Sequence, residues 1–198
     1  MNKPFSFAVG HSAPQIEAHE KVTGTAHYIA DLYHPNMLHG ALLQSPHAHA
    51  RILGYDLSRA AATPGVHAIV TGDDLQEPWR MGAFIKDEHA LAKGKVRYVG
   101  EPVAAVAAET EAQARAAATA IDVTYKELPA SLSPQDALAP DAAVIHENAA
   151  EYIKVFDAGT SGNLCSRTSF REGDIERGWR DSDLIFEGSY QTQPQAHV

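Results

Sequence analysis

The sequence predicts an α+β fold in which helices flank a mixed β-sheet. Three observations indicate this class. Short apolar runs of strand length recur between turn residues over residues 37–125, and an Ala-rich stretch over residues 111–120 has the composition of a helix. No strand–helix–strand unit repeats, so the pattern does not indicate a parallel sheet with helices on both faces.

Three strands are predicted in the first part of the chain. They follow a polar, His-rich lead-in over residues 1–19, which we expect to be extended. Residues 37–43 predict a buried strand, residues 48–57 alternate between two faces as a second strand, and residues 66–70 predict a third. The connection at Ser45-Pro46 is short, which suggests that the first two strands pair as a hairpin.

Capping patterns mark the turns and helices of the same region. Ser58 is expected to start a short helix, and residues 71–75 a capped turn in which side-chain oxygens accept from free main-chain N–H groups. Thr110 and Gln113 form a capping-box pattern at the start of the Ala-rich helix. Residues 76–94 are expected to be irregular, and further strands are predicted over residues 96–99, 103–108 and 121–125.

The last third of the sequence is less regular. Ser133 is suited to start a helix before Pro134, and Asp174 is expected to cap a short helix that carries Ile175 and Trp179 one turn apart. Strands are predicted over residues 167–171 and 184–192, and the second of them reads as an edge strand.

Composition and charge disfavour several classes of function. The 198 residues include 25 acidic and 16 basic side chains, and the net charge of -9 disfavours binding to nucleic acid. Cys165 is the only cysteine, so no internal disulfide or CxxC iron–sulfur ligand set can form, and we expect it to be a small, semi-buried residue. No apolar run could span a bilayer and no secretory signal is evident, so we expect a cytoplasmic protein without a membrane partner.

The histidines could carry metal chemistry. His47 and His49 are two residues apart and could bind a divalent metal if a third ligand were recruited from His27, His34 or His67. The favoured interpretation is structural: the two histidines pack within a hairpin, with Arg51 stacked or paired across it.

The carboxylates have a similar pair of interpretations. Glu101 could act as an acid or base if it is buried, but it lacks a partner nucleophile, and we expect it to cap a turn. Asp73 and Asp74 are expected to cap the turn that follows Thr71. The sequence contains no phosphate-binding glycine loop and no GxSxG elbow.

Two runs with fixed polar residues carry the most information about the family. They are Ser45-Pro46-His47-Ala48-His49-Ala50-Arg51-Ile52 and Lys95-Val96-Arg97-Tyr98-Val99-Gly100-Glu101-Pro102-Val103. Together they resemble the opening domain of the large subunit of molybdenum hydroxylases, the xanthine dehydrogenase and aldehyde oxidase family, in which many members carry glutamine in place of Glu101. The resemblance continues in the same order through residues 20–26, Tyr28, Asp31, and residues 37–40, 64–66, 71–75, 107–110 and 123–129.

The resemblance implies three parts of the chain. They are an α/β-hammerhead domain over residues 20–130, a linker over residues 131–165, and the incomplete start of a molybdopterin-binding domain over residues 166–198. The tail matches at residues 173–176, at residues 187–193 and at His197, whereas Arg177-Gly178-Trp179 replaces the usual Ala-rich helix. The two runs with fixed polar residues would lie in two hairpins of the hammerhead domain.

The activity that the resemblance implies belongs to a parent enzyme. In the family a molybdenum-bound hydroxide attacks an electron-poor carbon of an aldehyde or N-heterocycle, and electrons leave through iron–sulfur clusters and often FAD. The pterin loops and the catalytic glutamate have no match here, so we expect no catalytic, cofactor-binding or metal-binding residue in this chain. We expect a structural role beside the rest of the molybdopterin domain and the iron–sulfur and FAD subunits; the alternative is a stand-alone binding or assembly module of this fold.

Overall fold

A computed structural model describes residues 10–76, 80–155, 159 and 161–193, and these residues form two compact units. Among the described residues, the first unit comprises residues 10–76 and 89–129, and the second comprises residues 80–88, 130–155, 159 and 161–193. The strands are β1 (His39–Gln44), β2 (Ala50–Asp56), β3 (Val66–Thr71), β4 (Arg80–Met81), β5 (Glu88–His89), β6 (Lys95–Val96), β7 (Pro102–Ala108) and β8 (Asp122–Glu127).

Helices are few and short. The α-helices are α1 (Ala18–Thr23), α2 (Ser58–Ala61), α3 (Glu111–Ala120), α4 (Pro134–Ala137) and α5 (Ile175–Asp181), and single 3-10 turns span Ile29–Asp31, Gly72–Asp74 and Ala149–Glu151. None of the helices in the described parts of the chain is long and apolar enough to cross a membrane. The α+β class predicted from the sequence is therefore confirmed.

Two three-stranded sheets form the first unit, in the orders β1-β7-β3 and β6-β2-β8. Every strand pair in these two sheets is antiparallel, so the mixed sheet expected from the sequence is not what forms. The two-residue strands β4 and β5 pair with each other.

The expected hairpins are wrong. β1 pairs with β7 rather than β2, and β6 pairs with β2 rather than β7. The connections over residues 45–49 and 97–101 carry the chain from one sheet to the other. Main-chain groups of the two connections bond to each other: Gly100 N donates to Ser45 O (2.8 Å), and Ser45 N donates to Glu101 O (2.9 Å). The two connections therefore lie side by side, and each crosses between the sheets instead of forming a hairpin turn.

The first sheet packs against α2 and α3 through small side chains. The Ala-rich helix begins at its predicted position, where the Thr110 hydroxyl accepts a hydrogen bond from Gln113 N. A helix whose inner face is alanine can approach a sheet closely. The resulting core contains Ala60, Ala104, Val106, Ala117, Ala118 and Ile121.

Strand β7 contributes to both cores of the first unit. Its Ala104 and Val106 belong to the core under α3, whereas the fully buried Val103 belongs to a second cluster with Ala50, Ala92 and Val96. Because β7 is the central strand of its sheet and is buried along most of its length, it links the two cores.

Several local predictions can be compared directly with the structure. Strand β1 is half-buried along alternate residues rather than buried throughout, because only one of its faces meets the core.

Ser58 is the first residue of α2 and not its cap: Asp56 Oδ1 accepts bonds from Ser58 N (2.9 Å) and Ser58 Oγ (2.6 Å). The predicted turn cap is confirmed for Asp74, whose Oδ2 accepts from Thr71 N and Thr71 Oγ1, and these bonds lower the pKa of Asp74. The cap expected of Asp73 stays a prediction.

The second unit has less regular structure than the sequence predicts. Ser133 and Asp174 cap α4 and α5 as expected, by accepting from Asp136 N and Arg177 N. The predicted strands over residues 167–171 and 184–192 do not form. A strand needs a neighbour for its N–H and C=O groups, and no described segment pairs with either run. Residues 1–9 of the expected lead-in lie outside the described residues, and α1 begins at Ala18.

Replacing Tyr55 with phenylalanine is expected to maintain stability at neutral pH or raise it by about 1 kcal/mol. The Tyr55 hydroxyl is buried and has no hydrogen-bond partner among the described residues. Burial and the nearby Asp73 carboxylate raise the pKa of Tyr55 from 10.0 to about 12. Because the folded state disfavours ionisation of Tyr55, this group leaves the stability of the wild type unchanged below pH 10.0 and lowers it as the pH rises towards 12.

Urea denaturation at neutral pH and at about pH 11 would measure this effect, because Tyr55→Phe should lose less stability at alkaline pH than the wild type. Tyr125→Phe is the matched control: it removes the side-chain hydrogen bond between Tyr125 and Ser45 and should cost about 1 kcal/mol. If Tyr55→Phe loses as much stability as the control, the Tyr55 hydroxyl does have a hydrogen-bond partner and the prediction is wrong.

Candidate functional site

The two runs that carry the family resemblance meet at Ser45 and Glu101. Both residues are buried, at 2% and 5% exposure, where the two connections between the sheets touch. Ser45 Oγ accepts from His47 N and lies within bonding distance of His47 O, which shapes the first connection as a tight turn. The structure therefore brings together two motifs that are far apart in the sequence.

Glu101 closes the second connection. Its Oε2 accepts from Arg97 N, and its Oε1 lies 3.7 Å from Arg97 Nη1. Arg97 Nη1 also donates to Lys95 O at 3.1 Å. The carboxylate thus caps a turn, as the sequence predicts, and it simultaneously neutralises a mostly buried guanidinium.

His47 and His49 bind different groups. His49 is buried, and its Nδ1 lies 2.6 Å from Pro129 O. His47 Nδ1 lies 3.2 Å from Glu127 Oε1, and its ring contacts Tyr125 with centroids 4.8 Å apart. Both histidines therefore tie the connection before β2 to the end of β8.

The other histidines proposed as ligands do not complete a metal site in the described parts of the chain. His34 Nδ1 contacts Pro35 O, and His67 Nε2 lies 3.5 Å from Glu109 Oε1. Among the described residues, no group of three or more His, Cys, Asp or Glu side chains is arranged to hold a metal ion.

A cleft of about 410 Å³ lies at one end of the sheet β1-β7-β3. Its lining includes Tyr33, Met37, His39, His67 and Glu109. The cleft has a carboxylate and no Lys or Arg in its lining, so its charge is unsuited to an anionic group such as a phosphate. Sequence reasoning did not find this cleft, because its residues come from three separated segments.

A smaller cavity, of about 70 Å³, lies within the second unit. His146 Nδ1 lies 3.0 Å from Tyr152 Oη, and the Arg80 guanidinium stands 4.7 Å from the centre of the Tyr152 ring. Cys165 lines this cavity but is exposed, which corrects the semi-buried position expected for it. The volume suits a few water molecules and is well below the several hundred Å³ typical of a ligand pocket.

Asn163 organises the loops around this cavity, a role that sequence reasoning missed. Its Oδ1 accepts from Ile145 N at 2.8 Å, and its Nδ2 donates to Ala137 O at 3.0 Å and to Ala143 O at 2.9 Å. A lone Asn in a Gly-rich run indicates a turn, and nothing in the sequence shows which distant main-chain groups it binds.

Replacing Asn163 with alanine should destabilise the second unit by about 2–3 kcal/mol, because three main-chain groups lose their partner. Hydrogen exchange is the direct measurement, and the Ile145 amide should exchange faster in the variant. Asn148→Ala is a suitable control, since Asn148 precedes the 3-10 turn without a side-chain capping bond. Equal exchange at Ile145 in both variants would show that Asn163 does not hold this loop.

The family model described as "Aldehyde oxidase and xanthine dehydrogenase, a/b hammerhead domain" matches residues 23–129. The chain belongs to this hammerhead family. The family resemblance proposed from the two polar runs is thereby confirmed.

The hammerhead chain is similar to curated subunits of dehydrogenases. It is 41% identical over 178 residues to a probable xanthine dehydrogenase subunit of Bacillus subtilis, and the match covers 90% of this chain and 22% of that protein. It is 32% identical over 190 residues to the nicotinate dehydrogenase large molybdopterin subunit of Eubacterium barkeri, with 96% and 42% covered. The hammerhead chain therefore spans less than half the length of either relative.

Solved structures of the family have the same fold. The aldehyde oxidoreductase from Desulfovibrio gigas matches with a TM-score of 0.63 at 38% identity, over 68% of this chain and 16% of that one. The CO dehydrogenase from Oligotropha carboxidovorans matches with a TM-score of 0.66 at 34% identity, over 70% and 18%.

Proposed function

We propose that this chain is the hammerhead part of the large subunit of a molybdenum-dependent oxidoreductase that hydroxylates an aldehyde or an N-heterocycle. The observation that carries the proposal is the family match over residues 23–129. The names of the relatives, which include a molybdopterin subunit and an aldehyde oxidoreductase, support the type of enzyme.

The chain's own role in this proposal is structural. Its described cavities do not suit molybdopterin: the 70 Å³ cavity is too small, and the 410 Å³ cleft is lined by the Glu109 carboxylate and by no Lys or Arg, which disfavours a negatively charged cofactor. The buried polar side chains of the two family motifs, Ser45, His49 and Glu101, bond to main-chain groups. No catalytic step is therefore assigned to them.

The proposal includes residues 166–198 as the start of the molybdopterin-binding domain. All described residues from 166 to 193 are exposed, among them large apolar side chains such as Phe170, Leu184, Phe186 and Tyr190. Exposed apolar side chains of this number are typical of a surface that another element covers. The partners we propose are the remainder of that domain and subunits that carry iron–sulfur clusters and FAD, in the cytoplasm.

The experiment is to capture the polypeptide from its native source and to measure its intact mass and its molybdenum and iron content together. A polypeptide several times longer than 198 residues, with stoichiometric molybdenum, is expected. A capture with non-immune antibody gives the background metal. A polypeptide of this length without molybdenum would overturn the proposal and favour the stand-alone module.

A further inference from the structure

The ends of three strands form one side of the cleft beside the sheet β1-β7-β3. His39 begins β1 and Val66 begins β3, and each is opposite Ala108, the last residue of β7. Glu109 follows Ala108, and its main-chain N donates to Gly65 O at 2.9 Å. The carboxylate that lines the cleft is therefore attached to a main chain that the neighbouring strand end holds in place.

The other side of the cleft is a tight turn. Met37 N donates to His34 O at 3.0 Å, which closes the turn over Pro35 and Asn36. Asn36 has a φ of 64°, in the left-handed region, and proline followed by such an asparagine is typical of a type II turn. Because proline and the closing hydrogen bond restrict this turn, this side of the cleft is formed in advance of any ligand. Four residues in and beside the turn line the cleft: Tyr33, Asn36, Met37 and Leu38.

Glu109 gives the cleft a negative charge. The other described lining residues are a tyrosine, an asparagine, two histidines, a methionine and a leucine, and none of them is Lys or Arg. His67 Nε2 lies 3.5 Å from Glu109 Oε1, whereas Glu109 Oε2 has no partner among the described residues. An imidazole compensates a carboxylate only while it is protonated. One carboxylate oxygen is therefore available to a positively charged ligand.

Apolar and aromatic side chains share the cleft with this carboxylate. Met37 and Leu38 are 41% and 43% exposed, and Tyr33 adds a ring whose face is electronegative. An aromatic ring attracts an organic ammonium ion through its face, and a carboxylate attracts the same ion through its charge. The methionine and leucine side chains suit the carbon groups of such an ion.

We propose that this cleft binds a small organic cation, with a substituted ammonium group beside Glu109 and its carbon groups against Met37 and Tyr33. The volume of about 410 Å³ is in the lower part of the range of pockets that bind small molecules. The site is independent of the structural role that we propose for the chain, and it needs no molybdenum.

Other classes of ligand fit the cleft less well. An anion would meet the Glu109 carboxylate and no Lys or Arg in the described lining. A metal ion would need a set of protein ligands, and no group of three or more His, Cys, Asp or Glu side chains in the described chain is arranged to hold one. Glu109 and Tyr33 are largely exposed, so the cation should bind weakly, with a Kd on the order of 1 mM.

An NMR titration of the full chain tests the proposal, with benzyltrimethylammonium as the probe at constant ionic strength. The main-chain amide signals of Met37, His67 and Glu109 should shift and saturate. Benzyl alcohol and benzoate, which carry a similar ring without the positive charge, should bind at least about fivefold more weakly. Glu109→Gln should weaken binding of the probe about fivefold, because the ion pair is lost, and Tyr33→Ala about threefold, because the ring is lost.

Glu111→Gln is the matched control for Glu109→Gln. It removes the same charge at the start of α3, but Glu111 pairs with Arg115 at 2.6 Å and does not line the cleft. Its affinity for the probe should equal that of the wild type, and circular dichroism verifies that every variant is folded. Equal weakening by the two substitutions would mean that the probe responds to net charge alone, and the proposal would be overturned. Benzoate that binds as tightly as the cation, the same shifts with sodium chloride alone, or no saturable shift at these residues would overturn it too.

Discussion

Replacing Gly72 with alanine should destabilise the first unit by about 2–3 kcal/mol. An added Cβ would lie 2.0 Å from Ala92 O and 2.7 Å from Ala92 C, far inside contact distance. These are main-chain atoms, and they cannot rotate away as the end of a long side chain can. Ala92 is itself fully buried and donates to Pro102 O at 2.7 Å, so a shift of Ala92 would disturb the start of β7.

Urea denaturation followed by circular dichroism would measure the change in the free energy of unfolding. Gly40→Ala is the matched control, because Gly40 lies in β1 and an added Cβ there meets no atom within 4 Å. The control should stay within about 0.5 kcal/mol of the wild type. If both substitutions have the same small effect, the main chain of Ala92 does not approach Gly72 as closely as the structure indicates, and the prediction is wrong.

Features that depend on near neighbours in sequence could be predicted well. Helix α3 has its predicted bounds, and the caps at Thr71, Ser133 and Asp174 form as expected. Each of these contacts joins residues three positions apart, so the residue types and their spacing are sufficient to identify it. The turn cap at Glu101 belongs to the same group, since its main-chain partner at Arg97 is four residues away.

Strand pairing could not be predicted in the same way. Alternation identified β2, but the partner of a strand depends on residues far along the chain, and a short connection proved compatible with a change of sheet. That Arg51 is opposite both Lys95 on β6 and Lys126 on β8 is visible only once the register is known. The runs over residues 167–171 and 184–192 have the apolar pattern of strands, but they form no strand because no described segment pairs with them.

Replacing Glu101 with alanine should cost about 3 kcal/mol, the largest single loss that we expect for the first unit. The substitution leaves Arg97 N without its acceptor and removes the carboxylate beside a guanidinium whose side chain is only 14% exposed. A charge that remains buried after its partner is removed is more costly than the pair was favourable. Because Glu101 O also accepts from Ser45 N, loosening this turn should speed exchange of the Ser45 amide.

Glu101→Gln is the matched control, and it should cost about 1 kcal/mol, because the amide oxygen can still accept from Arg97 N while the charge is lost. Adding Arg97→Leu to Glu101→Ala tests the cause. If the loss arises from the stranded guanidinium, the double variant should be more stable than Glu101→Ala alone, since an apolar side chain then replaces an uncompensated buried charge. Additive losses from the two substitutions would instead mean that Glu101 acts through packing or the turn alone, and the ion pair would then have no measurable part in stabilising the turn of the second motif.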